Sequence, residues 1–118
     1  MTGVLQRYFA ALRGQDWEAL ADCLADDVHR TGPYLDGVRG RGAYVDFLAG
    51  VIPQLENYAL DVRGIHPLEE DRALVLLSES MDHEGLRRTH PEALLFGFDA
   101  DGRIARVDVY LEQPPRGR

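Results

Sequence analysis

The sequence predicts an α+β domain in which helices precede strands, and two observations carry that prediction. Up to about Ile52 the apolar residues recur three and four positions apart, the spacing of one helix face; from Tyr58 onward they alternate with polar residues, the period of a half-buried strand. Helices first and a long antiparallel meander second is the order of an α+β fold. A chain of 118 residues has room for one hydrophobic core, so residues 1–113 are expected to form one domain and residues 114–118 a flexible tail.

The first helix is expected over Thr2 to Arg13, with Val4, Leu5, Tyr8, Phe9 and Leu12 on its buried face and Gly14 to end it. Asp16 is placed to cap a second, short helix whose inner side carries Trp17, Leu20 and Leu24. A brief extended piece from Val28 to Thr31 follows, then a glycine-rich loop through Gly42 that can form a pocket rim. A third helix over Ala43 to Ile52 would bury Tyr44, Phe47, Leu48 and Val51, and Pro53 marks its end or a kink. Tyr58, Leu60 and Val62 open the first long strand, and a bulge at Gly64 would return Ile65 to the same face. Arg72 to His83 and Leu86 to Asp99 form two strands joined at Glu84-Gly85. The Asp99 to Gly102 turn leads into a last strand ending near Leu111.

Strand phase then identifies candidate site residues. In Ala73 to His83 the odd positions, including Leu77, Glu79 and Met81, stay apolar further and are expected to face inward. In the next strand the inward set is His90, Glu92, Leu94, Phe96 and Phe98; in the last it is Val107, Val109 and Leu111. This places Glu79, His90 and Glu92 on one apolar side of two neighbouring strands. With a two-residue turn Glu79 lies opposite His90, and with a four-residue turn opposite Glu92. Carboxylates beside Leu77, Met81 and Leu94 are costly to bury unless paired or sharing a proton, which shifts their pKa values toward those acid–base catalysis uses. Arg30 can reach in from the first strand and pair with Glu79 or Glu92. The pocket walls are expected from Phe47, Leu77, Met81, Leu94, Phe96, Val107, Val109 and Leu111. Trp17 fits the core at helical spacing and, with Tyr34 on the glycine-rich rim, is a further candidate for ligand contact.

Composition removes other classes. A formal charge of −7 and only scattered arginines, Arg87-Arg88 and Arg39 with Arg41, leave no basic stripe for nucleic acid. No run approaches the roughly 20 apolar residues of a membrane span. The single Cys23 cannot close an internal disulfide, and a cytoplasmic, reducing location is expected. His29, His66 and His83 lack metal-site spacing, and no phosphate-binding loop or nucleophile elbow is present, so neither metal nor cofactor is expected.

The segments Gln6-Arg7-Tyr8-Phe9-Ala10-Ala11-Leu12, Leu24-Ala25-Asp26-Asp27-Val28, Gly40-Arg41-Gly42-Ala43-Tyr44 and Asp101-Gly102-Arg103-Ile104, in that order, resemble the nuclear transport factor 2-like superfamily in its SnoaL-like branch. The resemblance implies a cone: a strongly bent sheet, antiparallel or mixed, with three helices from the N-terminal half closing an apolar pocket, in a homodimer packed through the sheet's outer face. It also implies a place for Tyr8, which falls where ketosteroid isomerase carries its oxyanion-hole tyrosine. The two acids of that enzyme fall at Gly32 and Leu94, so its dienolate chemistry is not expected. Of the Asp-Arg-Asp arrangement of limonene epoxide hydrolase only Glu79 has a counterpart, with Leu77 at the arginine and Val109 or its neighbour at the second aspartate. The expected function is cofactor-free acid–base catalysis on a compact apolar molecule: cyclisation, isomerisation, dehydration or epoxide opening. Glu79 would be the base, Glu92 or His90 the proton donor, Arg30 the charge setter, and Tyr8 the group that polarises a substrate oxygen. The alternative is a binding or accessory protein of the same fold.

Overall fold

The computed structural model describes residues 2–33 and 36–111. Tyr34 and the tail expected over 114–118 lie outside them.

Helix α1 (Thr2–Gly14) buries Val4, Leu5, Tyr8, Phe9, Ala11 and Leu12, the stripe its spacing predicts. Helix α2 (Trp17–Asp22) is capped as expected, the Asp16 carboxylate accepting from the Ala19 amide at 3.1 Å. Leu24 does not extend it. Strand β1 (Leu24–Thr31) begins there, earlier than expected, because exposed Asp26 and Asp27 fit an extended strand that buries Leu24, Ala25 and Val28. The glycine-rich rim contains a short strand, β2 (Gly37–Arg39). Helix α3 (Arg41–Val51) runs into a 3-10 turn at Ile52–Gln54 that contains Pro53. Tyr44 and Leu48 are buried and Phe47 is half-buried, but Val51 is 40% exposed, and Ile52, the next residue, is buried in its place.

Strands β3 (Glu56–Glu69), β4 (Arg72–His83), β5 (Leu86–Phe98) and β6 (Ile104–Leu111) complete a six-stranded sheet in the order β2-β1-β6-β5-β4-β3. β1 pairs with β6 in parallel and every other neighbouring pair is antiparallel, so the sheet is mixed and not closed into a barrel. The register shift between Val62 and Gly64 is the expected bulge, and it leaves Ile65 opposite Val75. A second bulge lies at the start of β3, between Glu56 and Ala59.

The β4–β5 hairpin turns through two residues with positive φ, Glu84 at 51° and Gly85 at 78°, as a tight two-residue turn requires. Its register runs unbroken from His83 opposite Leu86 to Arg72 opposite Gly97. Pro91 is accommodated within that register and does not displace it.

One core joins the buried stripe of α1 to Ala73, Val75, Leu77, Leu94, Phe96, Ile104, Val107 and Val109 on the inner face of the sheet. Tyr8, Phe9 and Phe96 meet edge to face, with ring centroids 5.1–5.9 Å apart. Among the described residues no helix is long and apolar enough to cross a membrane.

Candidate functional site

Where the helices lie over the middle of the inner face, a cavity of about 40 Å³ remains. Its walls include Leu77, Leu94 and Val109 from the sheet, and its polar lining is Tyr8, Arg30, Tyr44, Glu79 and Glu92. These come from five elements. Arg41 ties the start of α3 to β1 through two hydrogen bonds to the Leu24 carbonyl, at 3.1 and 2.9 Å, and an ion pair with Asp26 at 2.6 Å. That tie sets Tyr44 against the site.

The hairpin register decides the carboxyl geometry. Glu79 faces His90 directly, and Glu92 faces Leu77, one inward position further along. The two glutamates are diagonal neighbours on one face and hydrogen-bond to each other. Burial first, then the hydrogen bond and charge of Glu79, push the Glu92 carboxyl up to about 9, while Arg30 opposes the shift. Glu92 therefore holds a proton at neutral pH. The Tyr58 hydroxyl donates to Glu79 Oε2. Burial and the Glu79 charge push that phenol well above its ordinary range, so Tyr58 remains a donor.

Above the carboxyl pair the hydroxyls of Tyr8 and Tyr44 hydrogen-bond at 2.6 Å. Both phenols are raised, chiefly by burial, and both stay protonated. Arg30 reaches in from β1 as expected but forms no ion pair with either glutamate. Its guanidinium lies 4.9 Å from the centroid of the Phe47 ring, and its buried Nη1 has no hydrogen-bond partner among the described residues. The charge of Arg30 is felt at Glu92, Tyr8 and Tyr44.

His90 and Met81 lie further out on the same inner face. They line an open groove of about 560 Å³ with Leu55, Glu56 and Arg88. Phe96 and Val107 are fully buried in the packed end of the core. Phe47 packs under Arg30, Trp17 is half-buried against the core, and Leu111 is half-buried at the end of β6.

Two residues of the site escaped the sequence analysis as polar groups, Tyr44 and Tyr58. The signal was present, since both occupy inward positions and a buried phenol needs a partner for its hydroxyl. Among the described residues no cluster of His, Cys, Asp and Glu could hold a metal ion.

The model of the SnoaL-like domain family matches residues 5–107. No curated protein matches the sequence. Solved structures share the fold at low identity. An epoxide hydrolase of the limonene-epoxide-hydrolase-like type from Mycobacterium tuberculosis is 18% identical with a TM-score of 0.78, over 92% of this chain and 80% of that one. A candidate SnoaL-like polyketide cyclase from Shewanella denitrificans is 11% identical with a TM-score of 0.81, over 94% and 89%. A second M. tuberculosis protein, in complex with estradiol-17β-hemisuccinate, is 18% identical with a TM-score of 0.76, over 92% and 91%. At these identities the likeness extends to the cone fold and no further.

Proposed function

The chain belongs to the SnoaL-like domain family, and from that premise we propose that it is an enzyme performing cofactor-free acid–base chemistry on a compact, mostly apolar molecule. The observation that carries this reading is the hydrogen-bonded pair of Glu79 and Glu92 on an apolar face, with the proton held by Glu92 up to about 9. Two carboxyl groups whose surroundings separate their protonation states supply a base and an acid side by side. Glu79 is the base and Glu92 the acid; His90, opposite Glu79 but set in the outer groove, is a reserve donor at the entrance. Tyr8 and Tyr44 offer hydroxyls to a substrate oxygen, and Arg30 offsets the negative charge of the pair.

The enclosed volume is about 40 Å³, room for a reacting group and not for a whole substrate. Met81 and His90, on the same inner face as the carboxyl pair, line a larger groove, and in this reading the body of the substrate lies there while its reacting atoms reach the pair. Binding of a steroid ester by a protein of this fold supports an apolar polycyclic or similarly compact ligand. Cyclisation, isomerisation, dehydration and epoxide opening all use such a pair. Glu79→Gln preserves size and removes the base; turnover on a substrate found by screening compact ketones and epoxides should fall roughly 10²- to 10⁴-fold. Unchanged turnover would sink the assignment.

The small cavity also favours a second reading, a ligand-binding or accessory protein of the same fold whose polar cluster is satisfied internally. Tight ligand binding with no product over hours would select it. In either case we read the chain as a cytoplasmic homodimer. Exposed Leu76 and Tyr110 flank a groove of about 470 Å³ on the outer sheet face, and Cys23 is a free, buried thiol. Sedimentation as a monomer at micromolar concentration would remove the dimer.

A further inference from the structure

We infer that Tyr58 is a positioning residue that confines the proton shared by the two glutamates to Glu92. The inference rests on the acid–base reading above and deepens it by assigning what separates acid from base.

Glu79 and Glu92 have the same side chain, sit on adjacent strands and share one face, so by themselves either could hold the proton. The difference lies in their other partners. Glu79 Oε2 accepts from the Tyr58 hydroxyl, whereas Glu92 has no comparable donor among the described residues. A phenol donating to a carboxylate stabilises its charged form. With Tyr58 on Glu79, the arrangement of lower energy has Glu79 charged and accepting from both sides, and Glu92 donating. The other groups facing the pair do not make this choice. Tyr8 and Tyr44 pair with each other, Arg30 makes no ion pair with either carboxyl, and His90 lies toward the outer groove. Arg13, whose Nε donates to the Leu60 carbonyl at 3.2 Å, acts on Tyr58 and keeps its own bond to β3.

Tyr58 reaches Glu79 from the edge strand β3, next to a bulge. Regular pairing sets Leu60 opposite Glu79, so Tyr58, two positions earlier on the same inward face, is the diagonal neighbour of Glu79; the bulge falls just before it, where Asn57 and Tyr58 together face Met81 of β4. Asn57 adopts a φ of 51°, and the irregularity is held from outside the site: Asn57 Nδ2 donates to Asp82 Oδ2 at 2.5 Å, and Arg87 Nη1 donates to the Asn57 carbonyl at 2.6 Å and to Asp82 Oδ1 at 3.1 Å. Asn57, Asp82 and Arg87 together fix the strand end from which Tyr58 reaches Glu79.

The test reads the carboxyl carbons of Glu79 and Glu92 separately by ¹³C NMR across the pH range in the intact protein. In the wild type, the ionisation step near 9 should appear on Glu92 alone. In Tyr58→Phe, which keeps the ring and removes the donor, the step should divide between the two residues. A purely structural tyrosine would lower stability and leave the division unchanged. If the wild-type step is already divided, or if it stays on Glu92 in Tyr58→Phe, the inference is overturned while the paired-carboxyl reading stands. If neither carboxyl titrates above neutral pH, that reading fails as well. Should Tyr58→Phe not fold, Asn57→Gly decides: it tolerates the positive φ and releases the Asp82 tie, and should divide the step in the same direction to a smaller extent. An undivided step there also overturns the inference.

Discussion

The inner face of β4 and β5 has two ends that differ in everything except backbone geometry. At one end Ala73, Val75 and Phe96 are fully buried with Ile104 and Val107 of β6; at the other Glu79, Met81, His90 and Glu92 are half-buried. Pairing between the two strands is unbroken from end to end, and the side chains point the same way throughout. What changes is the cover. Tyr8 and Phe9 of α1 press on Phe96 at the packed end, and over the carboxyl pair the helices leave a cavity instead. Alternation thus decides which face a residue occupies, while the placement of the helices decides whether that face is core or site.

The comparison breaks most visibly at Phe96. Truncating this ring to alanine removes its edge-to-face contacts with Tyr8 and Phe9, and Phe96→Ala should cost about 3–5 kcal/mol by chemical denaturation. A cost below about 1 kcal/mol would mean that the packed end is not where stability resides.

At the polar end the effect should have the opposite sign. The folded Glu92 carboxyl is raised from 4.5 to about 9. Below the unfolded value both states are protonated and no penalty arises. As pH rises toward 9 only the unfolded state ionises, so stability falls through that window and levels off above it. Glu92→Gln mimics the protonated acid and removes the penalty: it should leave stability unchanged near pH 4 and raise it on the order of 2 kcal/mol by pH 8. Its turnover should fall. A gain over the wild type no larger at pH 8 than at pH 4 would show that Glu92 is ionised in the native protein.

The contrast between the ends also marks what the sequence could reveal. Strands β4 and β5 are legible because apolar residues alternate and Glu84-Gly85 supplies the turn, and from that phase alone Glu79, His90 and Glu92 fall on one face. Arg30 is legible as a residue able to reach in. The phenols of Tyr44 and Tyr58 are less so, because an inward tyrosine reads as packing until its partner is known. The bulge at Asn57 is set by Asp82 and Arg87, residues 25 and 30 positions away, and no local pattern encodes it. The early start of β1 was hidden by Asp26 and Asp27, whose charge resembles a loop when the burial of Leu24 and Val28 on the other side is unknown. Val51 fits the helical stripe, but it is Ile52 that turns into the core.

The smallest expected change in stability belongs to Arg30, and it separates a working site from a structural clamp. A buried arginine that clamps carboxylates is costly to remove, about 3–5 kcal/mol, because the abandoned charges stay buried. Here the guanidinium rests on Phe47, Nη1 has no hydrogen-bond partner among the described residues, and neither glutamate forms an ion pair with it. Arg30→Met keeps the apolar stem over Phe47 and forfeits a cation–π contact and a hydrogen bond with Tyr44, whose hydroxyl keeps Tyr8 as a partner, so stability at pH 6 should change by no more than about 1 kcal/mol. The charge acts at longer range. Because Arg30 opposes the rise at Glu92, its loss should move the Glu92 step above about 9, read by the same carboxyl titration. A large stability loss with an unmoved step would make Arg30 a clamp; a small loss with a raised step makes it the residue that sets the working pH of the pair.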